Sequence, residues 1–355
     1  KRALLQEMLK QREAAGTRAG GAIAPRADKS STPLSFAQER ILLIEALEPD
    51  TATHNVPMSL RIKGALDLAA LEQSFTALLA RHDVLRATFA FNKGVGTQRI
   101  GPPAPVKLEV IDLSSRPAPA AESELLRIID ADALLPFKLE LGPLSRAKVV
   151  KIAADDHAIV WTIHHIVTDG LSTPVLLRDL FDHYSAVTAG RPAQSVLPIQ
   201  YADYAAWQRT PAVAQVINGQ VAYWKRQLEG ANFALAFPTD RVRGPKPTSV
   251  GSEAFFEIPP ATYQAAQALA QKHQATMFMV LEAAYAALLH HYTEQTDICV
   301  GTVVGGRSRP ETLNLVGPFI NPVVLRTKVS ATTSFNDWHL GPYRSLLARV
   351  AKTLK

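Results

Sequence analysis

The amino-acid sequence predicts a mixed α/β protein, an α+β sandwich organised as two lobes. Segments that alternate apolar and polar residues, as half-buried strands do, are interleaved along the chain with amphipathic segments of helical period. A chain of 355 residues is also longer than one ordinary hydrophobic core accommodates. No fixed-period repeat relates the two halves, so we expect them to be alike in architecture rather than in sequence.

In the first lobe, residues 34–200, strand and helix patterns alternate after an upstream helix and linker at 1–33. Ser35 and Gln38 form a capping box that starts the first helix, and Asp67 caps the second. The lobe is predicted to contain helices at 36–47, 68–79, 121–132 and 174–188 and strands at 56–62, 85–91, 106–112, 146–152 and 157–163. The last two strands are predicted to pair as a hairpin.

The second lobe, residues 201–355, repeats this mixture. It is predicted to contain a short aromatic helix at 201–208, an irregular surface crossing at 237–252, strands at 254–258, 298–304 and up to 329, and helices at 261–273, 276–292 and the C-terminus. The last helix stops at Lys355 without a cap, so we expect this lobe to be truncated.

The composition predicts a soluble, cytoplasmic protein. The chain is 47% hydrophobic and 20% charged, and it has no apolar run long enough to cross a bilayer. Its single cysteine, Cys299, excludes an internal disulfide and is typical of a reducing compartment. The net charge of +6 comes from scattered Lys and Arg residues, so we expect neither nucleic acid nor a membrane as a partner.

A strand-to-helix junction with the sequence IHHIVTDG, residues 163–170, is the candidate reaction centre. Because successive strand side chains face opposite ways, we expect His165 to share a face with Ile163 and His164 to point to the other side. The unperturbed pKa of histidine, near ~6.5, suits His165 to proton exchange near neutrality. A core histidine is the alternative, and the neighbouring acid and glycine favour the functional interpretation.

Asp169 is interpreted as a structural acid rather than a base. A carboxylate at a tight turn most often binds an arginine. Arg307 follows a late strand that could bring it to Asp169. That Arg307 is an exposed loop residue is an equal alternative. Gly170 is expected to let the backbone turn tightly.

The sequence predicts neither a metal site nor a bound cofactor. His164 and His165 diverge as ligands, and no third or fourth ligand lies nearby at helical or hairpin spacing. The serine-hydrolase elbow and the glycine-rich loops for phosphates or dinucleotides are missing. His290 and His291 end a helix, where histidine complements the dipole, so we assign them no chemistry.

Five motifs in order resemble those of condensation domains of nonribosomal peptide synthetases, members of the chloramphenicol acetyltransferase-like superfamily. The segment HHIVTDG matches the HHxxxDG signature of that family. The other four segments are SFAQER at 35–40, RHDVLRATF at 81–89, YADYAAWQ at 201–208 and VGPFIN at 316–321. The family's last two motifs are absent because the chain ends first.

The resemblance implies two acetyltransferase-like lobes in a V-shaped pseudo-dimer, with His165 in a central tunnel. It implies an amide-forming acyltransferase whose donor and acceptor are thioesters on the 4'-phosphopantetheine of upstream and downstream peptidyl carrier proteins. An adjacent adenylation domain would belong to the same larger synthetase. His165 would act as the base or amine-positioning group, with His164 in support. Asp169 would serve structure through Arg307, and the Gly170 N–H would meet the oxyanion.

Two other functions remain open on this scaffold. The same fold could form an ester or acylate a soluble amine or alcohol, because nothing near His165 names the nucleophile. A non-catalytic domain that recruits a partner enzyme is the other alternative, and the intact histidine motif argues against it. An epimerising relative is disfavoured by the sequence Leu171–Pro174.

Overall fold

The computed structural model describes residues 21–27, 32–92, 94–192, 196–242, 244, 251–273 and 275–329. The predicted N-terminal and C-terminal helices and part of the predicted linker lie outside these residues. The chain divides into two compact units, one containing the described residues up to Val216 with Gly305–Ile320, the other Ile217–Val304 and the described residues from Asn321 onwards. The lobe boundaries, the V shape and the tunnel stay predictions.

Helices and strands are mixed along the first unit as the sequence predicts, and two strands, at residues 32–33 and 95–100, were not predicted. The elements are β1 (Thr32–Pro33), α1 (Phe36–Leu47), β2 (Asn55–Lys63), α2 (Leu68–Arg81), β3 (Ala87–Asn92), β4 (Val95–Ile100), β5 (Glu109–Asp112), α3 (Ala118–Ala133), β6 (Ser145–Ala153), β7 (Asp156–His164), α4 (Thr173–Thr188) and α5 (Tyr201–Gln208). Helix α6 (Pro211–Gln227) leads into the second unit. The capping box of Ser35 with Gln38 and the Asp67 cap are both present.

A four-stranded sheet in the order β2-β7-β6-β5 carries the candidate site. Strand β7 pairs antiparallel with both β2 and β6, so the predicted β6–β7 hairpin is confirmed. Every residue of β7 is buried. Its odd-numbered side chains, including Trp161 and Ile163, pack with α2 and α4, whereas Ala158 and Val160 pack with α3. A strand covered on both faces forms a rigid support for whatever follows it.

The second unit contains α7 (Pro260–Lys272), α8 (Met277–Thr293) and the antiparallel pair β8 (Asp297–Val304) and β9 (Asn321–Lys328). A small core of Ala286, Leu289, Ile298 and Val329 joins α8 to this pair.

Three predicted strands differ from the structure. The strand predicted at 106–112 begins only at Glu109, where pairing with β6 starts. Residues 254–258 form no strand, because no strand in the described part of the chain hydrogen-bonds with them, and Phe255 and Phe256 are exposed. The strand predicted from residue 85 begins at Ala87, because Asp83–Arg86 forms a 3-10 turn that the Arg86–Asp83 ion pair closes.

No helix among the residues that the structure describes is both long enough and apolar enough to span a membrane.

Candidate active site

The candidate site begins where β7 ends. The strand stops at His164, and His165–Val167 forms a 3-10 turn. Strand alternation therefore ends at His164 and does not decide which way the His165 side chain faces, so the expectation that His165 shares a face with Ile163 stays a prediction. Ile163 and His164 are buried, whereas His165 is partly exposed. The two histidines still occupy different environments, as predicted.

His165 is fixed through its backbone while its ring keeps a free nitrogen. The His165 N–H donates to the carbonyl oxygen of His54 at 2.7 Å. The Nδ1 atom of the His165 ring is buried and has no hydrogen-bond partner among the described residues. This imidazole nitrogen therefore neither donates to nor accepts from the described protein groups, and it is shielded from solvent.

Asp169 lies completely buried behind this turn. Its Oδ1 accepts hydrogen bonds from the backbone N–H and the hydroxyl of Ser172, both at 2.7 Å, and its Oδ2 accepts from the Phe319 N–H at 2.9 Å. The Nη2 atom of Arg307 lies 3.2 Å from Oδ1, so the predicted ion pair between Asp169 and Arg307 is present. Both carboxylate oxygens are thus engaged inside the protein, in line with the structural role predicted for Asp169, which stays a prediction.

Arg307 joins several parts of the first unit. Its Nη1 donates to the carbonyl oxygens of Thr312 and Leu315 at 2.7 and 2.5 Å, and its Nη2 donates to the Ser172 hydroxyl at 2.7 Å. Its guanidinium also lies over the ring of Phe319, 4.1 Å from the centroid. The alternative of an exposed loop arginine is therefore wrong.

Gly170 is exposed. The structure does not bear out the expectation that a glycine is needed here for a tight backbone turn. A Cβ atom built at Gly170 meets nothing within 4 Å, and its φ is outside the left-handed region. The helix that follows starts at Thr173 rather than directly after the glycine. The backbone turn therefore does not require glycine, and the contribution of its N–H to an oxyanion site stays a prediction.

Four of the five predicted motif segments, all but residues 81–89, meet near Asp169. Tyr201, in the fourth motif, donates its hydroxyl to the Pro318 carbonyl of the fifth at 2.7 Å and lies 2.7 Å from the Ser35 hydroxyl of the first. Burial raises the pKa of Tyr201 well above its usual value, which keeps this hydroxyl a donor. At Gly317, φ is +151° and an added Cβ would lie 2.0 Å from the Tyr201 ring, so only glycine fits there.

His164 belongs to a cluster that sequence spacing did not reveal. Glu45 Oε1 lies 2.5 Å from His54 Nδ1 and 3.5 Å from His164 Nε2. The three possible ligand atoms lie within 4.8 Å of one another, so two further possible ligands lie near His164 although neither is at helical or hairpin spacing from it in the sequence. Glu45, His54 and Ser172 were missed because their partners are distant in sequence, and helical or hairpin spacing carries no signal for such contacts.

The protonation of His164 argues against metal binding at this cluster. Its Nδ1 accepts a hydrogen bond from the Ile166 N–H at 3.1 Å, which places the proton of the neutral ring on Nε2. A protonated nitrogen has no lone pair to donate to a metal. The absence of a metal and of a resident cofactor stays a prediction.

A family model and known synthetase sequences both match this chain over most of its length. A family model described as the condensation domain matches residues 28–354. The chain is 40% identical over 322 residues to a linear gramicidin synthase protein of Brevibacillus parabrevis, covering 90% of this chain and 6% of that protein. It is 35% identical to phosphinothricin tripeptide synthetase PhsC of Streptomyces viridochromogenes, covering 92% of this chain and 30% of that protein. It therefore spans a small part of the relatives it matches.

Solved structures agree on the fold. The X-domain in complex with OxyB from teicoplanin biosynthesis has a TM-score of 0.84 and 27% identity, covering 94% of this chain and 73% of that chain. The first condensation domain of the CDA synthetase has a TM-score of 0.74 and 24% identity, with 92% and 78% covered, and supports the fold alone. The acetyltransferase-like α/β fold class is confirmed, and the chain belongs to the condensation-domain family of nonribosomal peptide synthetases.

Proposed function

We propose that this chain is an acyltransferase that forms an amide bond between two acyl groups, each carried as a thioester on the 4'-phosphopantetheine of a carrier protein. The observation that carries the proposal is the environment of His165. Its backbone is held by His54, the residue is partly exposed, and its buried Nδ1 has no hydrogen-bond partner among the described residues. This combination suits a group that positions or deprotonates a reacting amine.

The reaction proposed for His165 starts when the acceptor nitrogen attacks the carbonyl carbon of the donor thioester. The imidazole orients the amine or takes its proton, a C–N bond forms, the C–S bond breaks, and the proton ends on the donor thiolate. Much of the rate would come from holding two tethered reactants together, since oriented intramolecular reactions reach effective molarities of about 10⁵–10⁸ M. The backbone N–H of Gly170 is the proposed donor to the oxyanion.

The partners in this proposal are an upstream donor carrier, a downstream acceptor carrier and an adjacent adenylation domain in one larger synthetase. The synthetases to which the chain is similar support it, since this chain matches only 6% of the first and 30% of the second. No resident cofactor is proposed, because the phosphopantetheine arms would arrive with the carriers.

The test loads donor and acceptor carriers with aminoacyl groups, adds the full chain and follows the product by mass spectrometry. His165→Ala should lose most of the product. His291→Ala, which changes an exposed histidine in α8, should keep it. Undiminished condensation by His165→Ala would contradict the proposed role. A parallel acceptor that presents a hydroxyl in place of the amine distinguishes ester formation from amide formation.

A second candidate function is recruitment of a partner enzyme. The observation that favours it is the TM-score of 0.84 to an X-domain solved in complex with OxyB, against 0.74 for the CDA condensation domain. The same experiment separates the two functions. No product from the unaltered chain with any loaded acceptor would favour recruitment, whereas product that depends on His165 would rule it out as the sole function.

A further inference from the structure

We propose that Glu45 and His54 are positioning residues for His165, acting through a cluster that also contains His164. We call Glu45, His54 and His164 the acid–histidine cluster. The inference deepens the proposed function and rests on it for the role of His165. The three residues lie in three different parts of the fold.

The Glu45 carboxylate joins these parts at one point. Glu45 lies in α1, His54 directly precedes β2, and His164 ends β7. The distance from Glu45 Oε1 is 2.5 Å to His54 Nδ1 and 3.5 Å to His164 Nε2. The side chains are 11%, 16% and 2% exposed, so water competes little for these contacts.

The cluster holds the backbone on both sides of the His165 Cα. The peptide N–H of His165 donates to the carbonyl oxygen of His54 at 2.7 Å. The next peptide N–H, that of Ile166, donates to His164 Nδ1 at 3.1 Å. Two of the three cluster members therefore accept the two N–H groups that flank the His165 Cα. Displacing either residue rotates the peptide that sets the direction of the His165 side chain.

Electrostatics favours one ionised acid and a neutral His164. Burial acts to raise the pKa of Glu45, but hydrogen bonds from His164 and His54 outweigh it and hold the pKa below its usual value. Burial lowers the pKa of His164, the Glu45 carboxylate opposes this, and the nearby His54 and His165 add to the lowering. Neutral His164 can then accept from Ile166 at Nδ1 and point its Nε2 proton towards Glu45.

The kinetic test uses paired variants of His54 in the full chain with loaded donor and acceptor carriers. His54→Phe removes the bond to Glu45, whereas His54→Gln keeps a donor for it. A small displacement of a catalytic group costs up to about 100-fold in rate, so we expect His54→Phe to lower kcat by about 10- to 100-fold with little change in KM. His54→Gln should restore most of this loss, and Glu48→Ala, an exposed acid after α1, should match the unaltered chain.

Amide hydrogen exchange tests the positioning without any turnover. The His165 and Ile166 amides should lose protection in His54→Phe and Glu45→Ala but keep it in Glu48→Ala. Unchanged protection, or lost protection with unchanged kcat, would overturn the inference. If the unaltered chain makes no product, the proposed function fails, and the exchange result alone decides whether the cluster fixes the His165 backbone.

Discussion

Two carboxylates lie close to the His165 turn, and they are held by different kinds of donor. Asp169 is completely buried and is held by Arg307, the Ser172 N–H and hydroxyl, and the Phe319 N–H. Glu45 is slightly exposed and is held by two histidines. A guanidinium stays charged throughout the pH range in which proteins fold, whereas an imidazole titrates near neutrality.

We therefore expect the two carboxylates, Asp169 with its donors (the Asp169 side) and Glu45 with its histidines (the Glu45 side), to contribute differently to stability. The Asp169 side is a permanent anchor whose strength is insensitive to mild changes of pH. The Glu45 carboxylate is held by two imidazoles instead of a guanidinium, and His54 and His164 are the residues that accept hydrogen bonds from the backbone N–H groups of His165 and Ile166. Stability should therefore depend most on Asp169, and its dependence on pH should come partly from the acid–histidine cluster.

The largest expected effect is that of Asp169→Ala. Removing one partner of a buried ion pair leaves the other charge uncompensated, which costs about 3–5 kcal/mol of unfolding free energy. Chemical denaturation measures this loss, and turnover should fall with it. Asp155→Ala, at the exposed turn between β6 and β7, is the matched control and should change little. A fully stable Asp169→Ala protein that loses only turnover would show that the acid is not a structural anchor.

A smaller loss is expected for Ser172→Ala. The buried Ser172 hydroxyl donates to Asp169 and accepts from Arg307 and from the Gly317 N–H, so its removal leaves charged groups short of a partner. The expected cost is about 1–3 kcal/mol of unfolding free energy. Denaturation of Ser123→Ala, an exposed serine in α3, gives the baseline. Equal stability of the two variants would mean that the Asp169 anchor does not need the hydroxyl.

The pH dependence tests the Glu45 side. Burial lowers the pKa of His164, and also those of His82 and His183, below the unfolded value of 6.5. As the pH falls through this value the unfolded chain binds protons that the folded chain does not bind, so the unfolding free energy should decline as the pH is lowered from neutrality through about 6.5. The stabilisation from the lowered pKa of Glu45 is present above 4.5 and is lost only at lower pH.

Two variants separate the sides in this experiment. His164→Gln keeps an acceptor for the Ile166 N–H and a donor for Glu45, and it should show a shallower decline with falling pH. Ser172→Ala should be less stable throughout but parallel to the unaltered chain. Denaturation curves at a series of pH values measure both slopes. A His164→Gln slope equal to that of the unaltered chain would remove His164 from the explanation.

The smallest effect on stability is expected for Gly170→Ala. Nothing lies within 4 Å of the Cβ that this change adds, so the unfolding free energy should stay within about 0.5 kcal/mol of its original value. Turnover is the informative measurement. A stable variant with reduced kcat would indicate that a substrate occupies the open space beside Gly170, and unchanged kcat would indicate that it does not.

The surroundings of the two carboxylates differ in how much of them could be predicted from the sequence. The Asp169–Arg307 ion pair was one of two equal interpretations of the sequence. It was suggested because an acid at a tight turn after a strand often binds an arginine, and Arg307 follows a late strand. The β6–β7 hairpin was predictable from alternation and a polar turn. The acid–histidine cluster was not, because Glu45, His54 and His164 lie on elements whose packing no local pattern records. The strand predicted at 254–258 failed because apolar alternation does not supply a neighbouring strand.

The segment Gly305–Ile320 belongs to the first unit, although the strands on either side of it, β8 and β9, belong to the second. Its Arg307 contacts Asp169 across 138 residues of sequence. At synthesis rates of roughly 5–20 residues per second, Arg307 is therefore synthesised about 7–28 s after Asp169. The first unit cannot complete its core in chain order, so folding of the site is timed by the emergence of a segment encoded far downstream.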